Sequence, residues 1–389
     1  MKKIYVVISI VICTLMLLSA CASKTAATAT TAATATTVAT VTTAATATTA
    51  RVGAGPCPII GATYGGYIND AGYNQAMHEA VMAIKTNIPC VQIIEAENVY
   101  DEAGAITTML NMISQGAKMI IATGFSHQGP AYALAQKYPD VIFEHAGGWL
   151  VRDNMGNFFG NPPDGWYLMG VAAGMMTQSN KIGFVANSPL SWTLVFVNAF
   201  ELGVQSVNPD AETIVTYTFS WGDSAKEAEV TNSLINQGAD VITMHVDSPI
   251  TVISTAESRG VYSIGFQNLA AQKFAPEYWI SGTGFTLGDK LTWLAQEVID
   301  GTWGDVKSLH CGLAEGCMAI APFGPRVPQK VKDMVAEKEA AIEAGTLVVF
   351  MGPITDQDGT VRIAKGEVLA EADMSTVDWF VKGVVGSPK

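Results

Sequence analysis

The sequence predicts an α/β protein built as two similar lobes, each a doubly wound parallel sheet. Three observations carry that reading. Past residue 55, short runs rich in apolar and β-branched residues alternate with stretches of helical spacing, the pattern of βαβ units. Several runs, such as Met119–Ala122 and Val141–Phe143, are apolar without alternation, which suits strands covered on both faces. The phrase Ile113-Ser-Gln-Gly-Ala-Lys-Met-Ile-Ile returns as Ile235-Asn-Gln-Gly-Ala-Asp-Val-Ile-Thr at the same place in a second α/β run. That echo argues for two lobes rather than one long sheet.

The chain begins with Lys2 and Lys3 followed by the apolar run Ile4–Leu18, a charged and then hydrophobic leader too short for a confident membrane span. Leu18-Ser-Ala-Cys21 then resembles a bacterial lipobox. The expectation is a signal peptide over 1–20 and an acylated Cys21, with an ordinary signal peptide cut nearby as the alternative. Removing 1–20 takes away two Lys and no acid, so the formal charge of −13 becomes −15. Residues 21–55 read as a tether. From Thr25 to Ala50 only Thr, Ala and Val occur, which gives nothing large to bury and, as a coil, a span of about 28 Å.

With 35 acidic against 22 basic residues, the chain lacks the footprint of a nucleic-acid binder and any polybasic patch for a membrane surface. Cys57, Cys90, Cys311 and Cys317 remain after Cys21. An oxidising location and an even number point to disulfides, with Cys57 and Cys90 at the starts of adjacent strands and Cys311 and Cys317 closing a short loop. No Cys-x-x-Cys occurs and the five His are scattered, so no metal site is expected.

Strands are predicted at 58–63, 91–95, 119–123, 141–145, 181–186, 212–219, 241–246 and 261–266. Helices lie between them at roughly 72–86, 101–116, 129–138, 165–177, 191–207, 223–237 and 249–259. Gly116 and Gly238 mark helix stops just before strands. Ligands in such sheets sit beyond the carboxyl ends of the strands, so two facing lobes would share a cleft there.

Eight phrases resemble the basic membrane protein family of substrate-binding lipoproteins for ABC importers, which includes binders of purines and purine nucleosides. They are Ile68-Asn-Asp-Ala-Gly-Tyr-Asn74, Phe143-Glu-His-Ala-Gly147, Asn180-Lys-Ile-Gly-Phe-Val185, Asn208-Pro-Asp210, Asp300-Gly-Thr-Trp303, Ala321-Pro-Phe-Gly-Pro325, Gly352-Pro-Ile-Thr-Asp-Gln-Asp-Gly359 and Asp378-Trp-Phe380. They run in the family's order from about residue 56 to the end. The resemblance implies a type I periplasmic-binding-protein fold with two Rossmann-like lobes, three crossovers and a central ligand cleft. It also implies no enzymatic activity, no cofactor, a monomer, an extracytoplasmic protein held to the membrane only by its lipid, and an ABC permease as partner. On that template the crossovers fall near 157–160, 281–284 and 318–321. The N-terminal lobe then comprises 56–160 with 285–317, and the C-terminal lobe 161–284 with 318–389.

The residues expected to face the cleft are Tyr64, Asp70, Tyr73, Asn74, Phe125 and His145 from the first lobe. The second lobe offers Trp192, Trp221, Asp223, Asp247, Phe266 and Asn268, and Phe285 stands at the return crossover. A planar base suits aromatic faces, with Asp and Asn reading its edge. Asp70 and Asp223 read equally well as helix caps, and Trp293, Trp303 and Trp379 as core. Many family members carry an acid after the Gly-aromatic strand end, where it can hold a ribose hydroxyl, but Gly265-Phe-Gln-Asn-Leu269 has none. That departure puts nucleoside recognition in doubt and gives weight to a free base or another small aromatic solute, within an expected ligand class of small planar solutes, a purine base or nucleoside first among them.

Competing readings are weak. Gly124-Phe-Ser-His-Gln-Gly129 has one residue too many for a nucleophile elbow, and Gly282-Thr-Gly-Phe-Thr-Leu-Gly288 has the wrong spacing for a dinucleotide fingerprint. The stronger rival is a surface receptor of the same fold, or a binder of a different small metabolite.

Overall fold

The computed structural model describes residues 57–247 and 249–389. The signal peptide, Cys21 and the tether therefore lie outside the described residues. Among the described residues no helix is long and apolar enough to cross a membrane.

The first sheet is laid down by β1 (Ile59–Thr63), α1 (Tyr73–Asn87), β2 (Gln92–Ala96), α2 (Glu102–Ser114), β3 (Ala117–Ala122), α3 (Gln128–Lys137), β4 (Ile142–Ala146) and β5 (Met155–Gly160). The chain then crosses into α4 (Pro162–Met176), β6 (Lys181–Ala186), α5 (Ser191–Gln205), β7 (Glu212–Tyr217), α6 (Ser224–Asn236), β8 (Val241–His245), α7 (Ile250–Ser258), β9 (Tyr262–Gln267) and β10 (Trp279–Phe285). It returns through α8 (Gly288–Asp300) to β11 (Ser308–Cys311), and crosses again to β12 (Met318–Ile320) and α9 (Gln329–Glu343). The tail adds β13 (Ile354–Thr355), β14 (Val361–Ile363), α10 (Glu371–Met374) and β15 (Val384–Val385).

The strand order in the first sheet is β11-β5-β4-β3-β1-β2, and every pairing is parallel. The second runs β12-β10-β9-β8-β6-β7-β15, parallel except where β12 meets β10. Each sheet thus repeats one plan: the first strand of the lobe sits inside the second, and the third continues on its other side. The order reverses between β1 and β3, and again between β6 and β8. Both sheets belong to one compact unit. The fold is the two-lobe α/β architecture of type I binding proteins.

Sequence dictates these elements locally. Gly116 (φ +93°) and Gly238 (φ +100°) take the left-handed turn that ends α2 and α6 and feeds β3 and β8. Helix α4 is apolar nearly all round and almost wholly buried. It lies tightly on α5 because Gly170 and Gly203 face the backbones of Phe200 and Tyr167, where a Cβ would overlap a carbonyl oxygen. Helix α8 packs on α1, so the return crossover carries it to the first lobe. Disulfides join Cys57 to Cys90 and Cys311 to Cys317. The second clasps the last crossover, where the Asn161 amide donates to the Cys311 carbonyl (2.7 Å) and the Thr286 amide to that of Cys317 (2.9 Å). Trp379 is buried and Trp303 half-buried, its Nε1 donating to Glu144 (2.8 Å), whereas Trp293 is exposed on α8 rather than in the core.

Candidate functional site

The carboxyl ends of both sheets face each other, and aromatic rings line the space between them. Phe285, at the end of β10, packs against Phe159 (centroids 5.0 Å) and Tyr73 (6.1 Å) of the first lobe and Phe266 (5.9 Å) of the second. From Phe266 the series continues to His245 (5.6 Å), which also meets Trp221 (5.4 Å) and Phe196 (4.9 Å). Trp192 stands half-buried beside Phe196 (6.2 Å). These rings come from strand ends, the starts of α1 and α5, and the β7–α6 loop, where adjacent positions are free of packing within a helix layer.

The lobes touch across the cleft. The Tyr73 amide donates to the Asp247 carbonyl (3.1 Å), and Gly72 lies so near that residue and Pro249 that no Cβ would fit. Asn268 donates through Nδ2 to Glu79 of α1 (3.1 Å). A groove of about 350 Å³ runs along α1 and the β10–α8 turn, lined by Glu79, Asn268, Phe285 and Asp289 among others. It shares Phe285 with the ring series, while strand order reverses at β1 and β3 in one sheet and at β6 and β8 in the other.

The first lobe's polar candidates are largely engaged within the lobe. Asp70 accepts from the amides of Gly72 (2.8 Å), Asn74 (3.1 Å) and Gln75 (3.0 Å) and from Asn74 Nδ2 (2.8 Å), which ties down the first turn of α1 behind its N-cap, Gly72. Asn74 Oδ1 accepts from the Gly66 amide (2.9 Å), so the expected reader of a ligand edge is instead a strut under the loop. Tyr64 is fully buried and donates to Glu95 (2.6 Å); the expectation that it faces the cleft is corrected by that bond. Tyr73 donates its hydroxyl to the Thr123 carbonyl (2.8 Å), leaving its ring for the cleft. His145 is buried with Nε2 on the Gly124 carbonyl (2.9 Å), and burial holds its pKa down at about 4. It lies on the face of β4 that packs against α2 and α3. Phe125 is 64% exposed at the rim, against Trp149.

In the second lobe Asp223 is the N-cap of α6, accepting from the Lys226 amide (3.1 Å), and the cap reading stands for it. Asp247 stands where the lobes touch, its amide donating to the Trp221 carbonyl (2.8 Å) and its carbonyl accepting from the Tyr73 amide. Burial, reinforced by the charges of Asp70 and Glu227, pushes it up to about 8, so at neutral pH it carries a proton and can both donate and accept. Sequence reasoning missed Asn187, His245 and Phe196. Asn187 follows β6 directly and His245 and Gln267 end β8 and β9, three adjacent strands, and each has a buried polar atom without a protein partner. Met244-His-Val246 reads as strand interior and Asn187 as an ordinary turn residue, so only the third dimension picks them out. None of the cleft residues named here is Lys or Arg, and among the described residues no cluster of His, Cys, Asp and Glu could hold a metal.

Residues 58–348 match the family of ABC transporter substrate-binding proteins described as PnrA-like. A purine-binding protein of Brucella abortus is 34% identical over 329 residues, 84% of this chain and 92% of that protein. A Haloferax volcanii protein named as an ABC transporter glucose-binding protein is 33% identical over 295 residues, 73% of this chain and 72% of its own. Among solved structures, an ABC transporter solute-binding protein from Conexibacter woesei superposes with a TM-score of 0.64 at 20% identity, covering 75% of this chain and 98% of that one. At that identity the likeness speaks to the fold alone.

Proposed function

The chain belongs to the PnrA-like family of ABC transporter substrate-binding proteins, a family of extracytoplasmic binding proteins and not of enzymes, and on that premise we propose that it captures a purine base in its cleft and delivers it to an ABC importer. The observation that carries the reading is the series of rings from Tyr73 and Phe159 through Phe285 and Phe266 to Trp221, shared by both lobes. Closing the lobes would place such rings against a flat solute, where stacking is worth about 1–3 kcal/mol per base. The absence of Lys and Arg from the named cleft residues argues against a phosphate-bearing nucleotide. A protonated Asp247 suits an uncharged heterocycle with both a donor and an acceptor on its edge. The Brucella relative supports a purine, and the lack of an acid after Phe266 favours a base over a nucleoside.

A sugar is the second reading, favoured by the Haloferax relative at nearly the same identity. Titration calorimetry of the mature protein with adenine, hypoxanthine, guanosine and glucose separates them. Binding of a purine with glucose inert supports the proposal, and binding of glucose alone overturns it.

The anchor belongs to the same proposal: Cys21 is acylated after removal of 1–20, and residues 21–55 let the binding domain reach its permease. Intact mass of membrane-extracted protein should begin at Cys21 with added acyl mass. A soluble product starting elsewhere would reject the lipid anchor without touching the binding proposal.

A further inference from the structure

Two buried polar side chains stand together where strand order reverses in the second lobe. Strands β6 and β8 are neighbours there, Ala186 lies opposite His245, and the Asn187 amide donates to the His245 carbonyl (3.1 Å). Asn187 uses its Oδ1 to accept from the Thr193 hydroxyl (2.9 Å) in the first turn of α5, which leaves Nδ2 without a partner. His245 has Nδ1 unpartnered, and its ring is held among Phe196, Trp221 and Phe266. Relative exposures are 1% for Asn187 and 6% for His245. Buried polar atoms in native proteins are normally bonded, so an adjacent pair of orphans at a strand-order reversal calls for a guest.

We propose that His245 and Asn187 are the specificity-determining pair of the cleft, hydrogen-bonding the in-plane edge of a nitrogen heterocycle whose ring is flanked by Trp221 and Phe266. The inference rests on the planar-solute reading given above and deepens it. Asn187 Nδ2 is a donor and asks for a ring nitrogen or carbonyl. Burial holds His245 down at about 3, so its imidazole is neutral at ordinary pH and offers one donor and one acceptor. Such a pair matches an uncharged base presenting both kinds of group. It discriminates poorly among hydrocarbons and gives nothing to an anion.

The test is calorimetric titration of wild type, His245→Phe and Asn187→Asp with adenine and its 1-, 3- and 7-deaza analogues. The first variant keeps an aromatic ring. The second keeps an acceptor for Thr193 and replaces the unpaired donor with a carboxyl oxygen, which can only accept and carries the added charge. Wild type is expected to bind at least one deaza analogue about tenfold more weakly than adenine, since a buried partner is then left unmade. His245→Phe or Asn187→Asp is expected to bind adenine about tenfold more weakly and to lose that discrimination, with melting temperature close to wild type. Purine binding by wild type, with both variants within threefold of it, overturns this inference and leaves the function standing. Failure of wild type to bind any purine overturns both. Equal affinity of wild type for adenine and all three analogues overturns the inference even where neither variant folds.

Discussion

The two lobes repeat one strand order, yet their reversal points differ in chemistry. Between β1 and β3 most polar groups are engaged: Tyr64 donates to Glu95, the Thr123 hydroxyl to the Thr63 carbonyl (3.1 Å), and Asp70 gathers amides at the start of α1, while the Thr63 hydroxyl and, on β4, His145 Nδ1 are buried without a partner. Between β6 and β8, Asn187 and His245 each keep a buried atom unbonded, with Phe196, Trp221 and Phe266 around them. Both lobes keep buried orphans, but the first has most of its polar groups bonded and is the nearer to a finished wall, whereas the rings around His245 make the second the half of a site. The second lobe is therefore expected to hold the ligand and the first to close over it.

The largest effect should come from preventing that closure. In Gly72→Ala the new methyl overlaps the Asp247 carbonyl and stands 2.6 Å from Pro249 Cδ, so the touching arrangement is lost. Affinity should fall by at least about a hundredfold, since a binding-competent state reduced to a minor population taxes affinity by that fraction. Small-angle scattering should no longer report compaction on adding ligand; undiminished compaction would mean that the lobes grip elsewhere.

Next in size is Trp221→Ala, which removes a ring from the open half. Binding should weaken about five- to 150-fold, from a stacking loss of about 1–3 kcal/mol, with the melting temperature of empty protein little changed. Lower stability with normal affinity would make Trp221 a structural residue and blur the contrast.

A pH profile tests Asp247, the acid at the point where the second lobe touches the first. Asp247 is raised from 3.8 to about 8 when buried against Asp70 and Glu227, while the phenols of Tyr73 and Tyr100 beside it are raised too and stay neutral. A raised carboxyl helps the closed form while protonated; that help is complete below about 3.8 and lost as pH climbs through about 8. Affinity measured between about pH 5 and 8 should decline with rising pH by no more than about tenfold per unit, and Asp247→Asn should flatten the curve. A flat profile in wild type would show that closing does not bury this carboxyl.

The smallest effects on binding belong to the finished wall. Asn74→Ala frees the Gly66 amide and takes one bond from Asp70, and should cost about 1–3 kcal/mol of unfolding free energy with affinity within threefold. Denaturant titration beside calorimetry decides it, and a tenfold loss of binding would return Asn74 to the site.

The fold was legible because βαβ patterning is a property of neighbours along the chain: the eight predicted strand runs became β1–β4 and β6–β9. β5, β10 to β15 and α8 to α10 fall outside the predicted runs; β5 and β10 carry the crossover phrases Asn157–Gly160 and Ser281–Gly284, which lack a long apolar run. The site was legible only in part. Phe266, Phe285, Tyr73 and Trp221 fall in the ring series between the lobes, as their strand-end positions and aromatic type suggest. Asn74 and Tyr64 misled because composition shows that a side chain can bond and not whether it already does. His245 escaped for the converse reason: in the run Val241–Val246 it looks like one more interior residue, and its unbonded nitrogen exists only once Phe196 and Trp221 close around it.

The bond between Cys57 and Cys90 joins the chain just ahead of β1 to the chain just ahead of β2, its edge neighbour. A pull on the residues before 57 therefore does not unzip one strand from the middle of the sheet. It loads two adjacent strands together at their amino ends, in shear, and the ligand-facing ends of both lie at the far side of that load. Mechanical strain on the N-terminus is thus kept away from the cleft.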